Sequence, residues 1–299
     1  MRGDGLRSQN ARAAAVYDVL PYEALPGPWL DVERVLGVGA IYGCNAAPLD
    51  VLDLGCGTGL ALARAAGQAA GRLTGVDLSD GNCRKARERL SALGPRAEIL
   101  EADFLDLDAD RLGRFDLVYA IGVVYIVPPQ VRQHLVRLIG HCLKPGGVVI
   151  VSHYSGPLAA LRGQLHAIVR ATINEPDPVM ELRAARVRCM ELAQRLERNP
   201  SSLPLACLRQ TMSLPDMTFY HEIFNPWLAP IPAAELNRDF SEHGIGFLCR
   251  TDLGSHGVAA TPATRAFEAD VEDLAGGGYR ISLFGRGAGA PANRSNESI

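Results

Sequence analysis

The sequence predicts an α/β fold, a doubly wound sheet with a helical cap inserted after its fifth strand. Three observations predict it. Strand-like apolar runs alternate with helix-like runs between Leu49 and Tyr154, as in successive βαβ units. A Gly-x-Gly-x-Gly turn, Gly55 to Gly59, follows the first of those runs, where open sheets of this kind meet a ligand. From Gly156 to about Pro215 only helical spacing is found, and strand-like runs then resume.

Taken in order, residues 1 to about 12 are polar and glycine-containing and are expected to fray. VYDVLPYEALPGPW leads into a short helical pattern, WLDVERVLG, so residues 1–48 read as an N-terminal arm and lid. LDVLDL is a buried parallel strand by its continuous apolar character. RLTGVDL, AEILEAD, FDLVYAIG and VVIVSHY supply strands two to five, with helices between them and an LKPGG turn before the last. Residues 49–155 therefore form the ligand-binding core, and 156–230 a mainly helical cap. Residues 231–285 return to the core through a helix, the strand IGFLCR, a further helix and the strand YRISLFGR. The tail 286–299 is too polar and rich in glycine and proline to pack, and is expected to be disordered.

With 299 residues, 47% of them hydrophobic and 21% charged, the chain has the composition of a globular protein. A net charge of −3 leaves no electrostatic footprint for nucleic acid. The seven cysteines are odd in number and none pair as C-x-x-C, which argues against a zinc site or a secreted disulfide framework. The N-terminus lacks the apolar core of a signal peptide and no segment is long enough to span a membrane. The expectation is a cytoplasmic protein with no metal and no membrane or nucleic-acid partner, a homodimer being one option.

The chemistry begins at VLDLGCGTG. Glycines at Gly55, Gly57 and Gly59 let backbone approach a ligand too closely for side chains. Asp53, just before the turn, would repel a pyrophosphate but suits a cationic group such as an amino acid's ammonium. Asp77, ending the second strand, can accept hydrogen bonds from two ribose hydroxyls. Asp103 and Phe104, ending the third, can hold an adenine by hydrogen bond and stacking.

With DLGCGTG, GVDLS, EADF, FDLVYA and LKPGG in that order, residues 49 to 152 resemble the class I S-adenosylmethionine-dependent methyltransferases, a seven-stranded Rossmann-like fold. The resemblance implies S-adenosylmethionine as cofactor and S-adenosylhomocysteine as product. It gives the amino-acid part to Asp53, Gly55, Gly57 and Gly59, the ribose to Asp77, and the adenine to Asp103. Leu78, Phe104 and Ile121 complete the expected cofactor set, with Tyr17 and Tyr22 as an aromatic lid. A nicotinamide-binding oxidoreductase is disfavoured by the glycine spacing and the LKPGG turn.

A finer resemblance is to a bacterial group carrying a methyltransferase regulatory domain, some members of which methylate protein lysines. VYDVLPYEALPGPW, GVVYIVPP, VSHYSGP and FYHEIFNPW carry it. The group reads His-Gly-Val-Tyr-Ser-Trp-Val-Pro after strand four, where this chain has Ile121-Gly122-Val123-Val124-Tyr125-Ile126-Val127-Pro128. Because that motif has changed and the insertion suggests an enclosed pocket, the expected acceptor is a small molecule or peptide-like natural product. A protein lysine N-methyltransferase and a non-catalytic cofactor-binding module are the alternatives.

Candidate catalytic residues lie where strands end. Tyr125 follows strand four and His153 strand five, each with a packing role as the competing reading. In FYHEIFNPW, His221 or Glu222 is expected as base or orienting group, unless the pair caps a helix or ties the cap to the core. Tyr154, Tyr220, Asn225 and Trp227 are the expected acceptor-binding residues.

Overall fold

The computed structural model describes residues 3–23, 31–44, 49–69, 71–225, 227–251 and 261–287. Its centre is a seven-stranded sheet in the order β3-β2-β1-β4-β5-β7-β6. The strands are β1 (Val51–Leu54), β2 (Leu73–Asp77), β3 (Ala97–Glu101), β4 (Phe115–Ala120), β5 (Leu143–Ser155), β6 (Ile245–Arg250) and β7 (Gly278–Arg286). The first five pair in parallel, while β7 runs antiparallel to both β5 and β6.

The apolar runs that predict these strands are buried on both faces because helices cover both. Leu52, Leu54, Val118, Ala120, Val149 and Val151 face one layer, with α6 (Pro129–Cys142), α11 (Ala233–Ser241) and α12 (Pro262–Asp273). Val51, Leu117, Tyr119, Val148 and Ile150 face the other, with α2 (Val32–Ile41), α3 (Leu60–Ala65) and α4 (Asp80–Leu90). A short helix, α5 (Ala109–Leu112), precedes β4. Alternation of side chains along each strand thus fills two separate cores from one sheet.

The region after β5 is helical, as the spacing predicts: α7 (Gly156–Arg170), α8 (Pro178–Leu196), α9 (Leu203–Met212) and α10 (Asp216–Phe219). Tyr220–Phe224 continue α10 as one π-helical turn, a distortion that often accompanies functional sites.

The N-terminus corrects its expectation. Residues from Gly3 do not fray but form α1 (Gly3–Val19). Tertiary contacts hold this helix in place. Val16 is fully buried in the cap's own apolar cluster. The Arg12 guanidinium donates to the Glu175 carbonyl at 2.7 Å and pairs with Glu181 at 2.9 Å. At the other end the Asp18 carboxylate accepts from Ser79 Oγ and from the Gly81 backbone at 3.1 Å. One helix therefore joins cap and sheet. The predicted LKPGG turn is likewise absorbed into the start of β5. Most of the expected disordered tail, from residue 288 onward, lies outside the described residues.

Candidate active site

The order of strands reverses between β1 and β4, and in open α/β sheets ligands bind at that crevice, beyond the carboxyl ends. Here it opens into a cavity of about 350 Å³. Asp53, Gly55, Gly57, Asp77, Leu78, Asp103, Phe104 and Ile121 line it, and so do Tyr17, Tyr22, His221, Asn225 and Trp227.

On the sheet side the glycine loop is shaped by backbone. Gly55, Gly57 and Gly59 all have positive φ, which side chains disfavour. A Cβ on Gly55 would stand 2.6 Å from Val123 Cγ2. Gly59 differs from its expected role: it packs on Ala86 of α4 and does not line the cavity. The Gly57 N–H donates to Asp77 Oδ2 at 2.8 Å and the Ser79 N–H to Asp77 Oδ1 at 2.9 Å. One carboxylate thus ties the loop after β1 to the turn after β2. Burial raises the Asp77 pKa against these hydrogen bonds. Asp103 Oδ1 accepts from Leu105 N at 3.0 Å, starting the 3₁₀ turn that presents Phe104.

Asp53 is 3% exposed, and no hydrogen bond or ion pair holds its carboxylate among the described residues. Burial, then the neighbouring Asp77, push its pKa up to about 7. A buried acid without a partner calls for a cationic ligand. An ammonium group beside it fits that need, so these residues fit the amino-acid end of S-adenosylmethionine.

The opposite wall is aromatic. His221 stacks on Tyr22 with ring centroids 4.5 Å apart, and its Nδ1 lies 2.7 Å from the Tyr17 hydroxyl. Burial pushes its pKa down to about 4, so the ring is neutral at physiological pH. Asn225 Oδ1 accepts from the Trp227 backbone N–H at 3.0 Å. Tyr279, from β7, joins this wall. It carries no spacing signal, and only the return of an antiparallel strand brings it here.

Other expected site residues stand behind the wall. Tyr125 is buried and packs edge-on against His221, Tyr154 and Tyr279. Tyr154 accepts from Arg162 Nη1 at 2.9 Å, and Tyr220 packs edge-on against Tyr17. None of the three lines the cavity. His153 is fully buried, with Nδ1 2.8 Å from the Ile231 carbonyl and Nε2 2.8 Å from Ser282 Oγ. Both ring nitrogens are engaged in joining β5 to its neighbours, which corrects its reading as a base. The Glu222 side chain lies outside the described residues.

Residues 51–147 match a family described as a methyltransferase domain. Over most of its length the chain superposes on PKMT2 from Rickettsia typhi with a TM-score of 0.71, at 18% identity, covering 92% of this chain and 56% of that one. The fold is that of the class I S-adenosylmethionine-dependent methyltransferases. PKMT2 has also been solved in complex with AdoHcy. Among curated relatives, a phosphatidylethanolamine N-methyltransferase from Cereibacter sphaeroides is 37% identical over 128 residues, 40% of this chain and 60% of that protein. A Rickettsia felis ubiquinone biosynthesis O-methyltransferase is 32% identical over 108 residues, 36% of this chain and 42% of that protein. The matches thus span less than two thirds of the relatives' length. No helix among the described residues is long and apolar enough to cross a membrane.

Proposed function

We propose that this chain is an S-adenosylmethionine-dependent methyltransferase acting on a small-molecule or peptide-like acceptor. The cofactor supplies an electrophilic methyl carbon, which passes to the acceptor's lone pair by in-line displacement as the sulfur keeps the old bonding pair. Asp53 and the Gly55 and Gly57 backbone hold the amino-acid end. Asp77 and Leu78 hold the ribose, and Asp103, Phe104 and Ile121 the adenine. Tyr17 and Tyr22 close over the site, and an aromatic face beside a sulfonium gains from cation–π attraction. His221, Asn225 and Trp227 form the acceptor wall. Alignment in such a site supplies much of the barrier reduction, several kcal/mol by order of magnitude.

The observation that carries the acceptor reading is the segregation of charge in one cavity. The lining carboxylates are Asp53, Asp77 and Asp103, all at strand ends on the cofactor side, while the facing wall is aromatic and uncharged among the described residues. Within the fold, we place the chain nearest the group with a regulatory domain, on the segments FYHEIFNPW and VYDVLPYEALPGPW.

Incubating the protein with methyl-labelled cofactor and a cell extract, then separating by size, tests this. Label in the low-mass fraction is the expected result. Label confined to a protein band would favour lysine methylation, and cofactor binding without transfer to any fraction would favour a non-catalytic module.

A further inference from the structure

Two ties hold the segment from Tyr17 to Glu23 down on α4. At one end the Asp18 carboxylate accepts from Ser79 Oγ and from the Gly81 N–H at 3.1 Å. Ser79 caps α4, accepting from Asn82 N at 3.0 Å, and its own N–H is on Asp77. At the other end the Glu23 carboxylate pairs with Arg89, in the last turn of α4, at 3.5 Å. The same guanidinium donates to Thr58 Oγ1 of the glycine loop at 2.7 Å. Both ties therefore land on residues that also hold the loops carrying Asp77 and Gly57.

Between and beside these ties the chain covers the cavity. Ala13, Ala14 and Tyr17 of α1 line it, and so does Tyr22. A Cβ on Gly57 would stand 3.9 Å from the Tyr22 carbonyl oxygen. Little apolar packing holds this cover in place. From Ala11 to Glu23 only Val16 is buried, and Asp18 and Glu23 are themselves exposed. An element with so few buried apolar contacts opens locally without unfolding the rest of the protein. The cap end is held more firmly, because Arg12 donates to the Glu175 carbonyl at 2.7 Å and to Glu181 at 2.9 Å. Release is therefore expected at the α4 end.

We propose that residues 17–23 form a strap that gates cofactor exchange, latched shut on α4 by Asp18 and Glu23. Latched, it bars S-adenosylmethionine from entering and S-adenosylhomocysteine from leaving, and release of the two ties opens the cavity. This deepens the methyltransferase reading and rests on it. Asp18 and Glu23 do not line the cavity. They are positioning residues, acting through Tyr17 and Tyr22.

Locking and loosening the strap in the full-length protein test this. A Cβ at Gly81 would stand 3.4 Å from the Asp18 Cα, so Asp18→Cys with Gly81→Cys places two thiols within disulfide reach. The chain's own cysteines are all buried, which leaves the introduced pair as the one that oxidation reaches. The protein is loaded with tritiated S-adenosylhomocysteine and chased with excess unlabelled ligand. In the oxidised double variant release should slow by about tenfold or more, and reduction should restore it. Asp18→Ala with Glu23→Ala needs no cross-link and should release the ligand about tenfold faster than wild type, with association no slower. Equal release from the oxidised and reduced forms overturns the gate. Slowing that reduction does not reverse overturns it too, since that marks a damaged site. Release from the alanine pair at the wild-type rate overturns the latch. Failure of S-adenosylhomocysteine to bind the wild type at all would instead overturn the cofactor reading, so the two failures are told apart.

Discussion

The two walls of the cavity are built in opposite ways. One wall comes from a continuous segment, Asp53 to Ile121, in which the acids and the glycine loop sit at the ends of strands or in the turns after them. Its chemistry is local: Gly57 and Ser79 donate to Asp77 across a single βαβ unit. The other wall draws Tyr17 from α1, His221 and Asn225 from the π-helical turn and its end, and Tyr279 from β7. Charge lies on the first wall and hydrogen-bonded aromatics on the second. A wall fixed by neighbouring backbone can keep the same cofactor while a wall assembled from distant segments is free to change its acceptor.

That contrast can be broken experimentally. Asp77→Ala should have the largest effect, because it removes the ribose acceptor and also frees the Gly57 and Ser79 amides. We expect S-adenosylhomocysteine affinity to fall by about a hundredfold, as for loss of charge-assisted hydrogen bonds worth roughly 3 kcal/mol. Calorimetry giving an unchanged affinity would remove Asp77 from the cofactor wall.

A smaller effect is expected from pH. In the empty site Asp53 is protonated below about pH 7, whereas a bound ammonium requires the carboxylate. Binding below that pH must therefore release a proton, so affinity weakens as pH falls. Lowering pH from 8 to 6 should cost about tenfold. Asp53→Asn should bind weakly and lose the slope, and a slope that persists in this variant would trace it to another group.

The smallest effect on binding should come from His153→Leu. It leaves the Ile231 carbonyl and Ser282 hydroxyl without their partner, at a cost in stability of about 1–3 kcal/mol, seen as a lower Tm. S-adenosylhomocysteine affinity should not change. Loss of methyl transfer with an unaltered Tm would return His153 to the chemistry.

Legibility follows the same division. The glycine loop and the three acids can be read because their spacing within βαβ units places them at strand ends whatever the rest of the chain does. His153 and Tyr154 cannot be sorted the same way. Both end strand five, but the pleat and the antiparallel β7 beside it turn His153 onto Ser282 and Ile231. Gly59 has the right spacing for the loop, yet its missing side chain serves the close approach of α4. Helix α1 escapes a reading by pattern because its sequence carries little amphipathic signal. Its stability comes from Arg12, Val16 and Asp18, whose partners lie more than sixty positions away in the chain.

By itself the sequence determined the fold class and the placing of Asp53, Asp77 and Asp103 at the ends of successive strands, because those depend on hydrophobic periodicity and on residues a few positions apart. It also singled out FYHEIFNPW, whose His221, Asn225 and Trp227 line the same cavity. Only the tertiary structure decided what His221 can do there. The Tyr17 hydroxyl that meets its Nδ1 comes from 204 positions away in the chain, and an imidazole's partners are set by contacts, not by spacing.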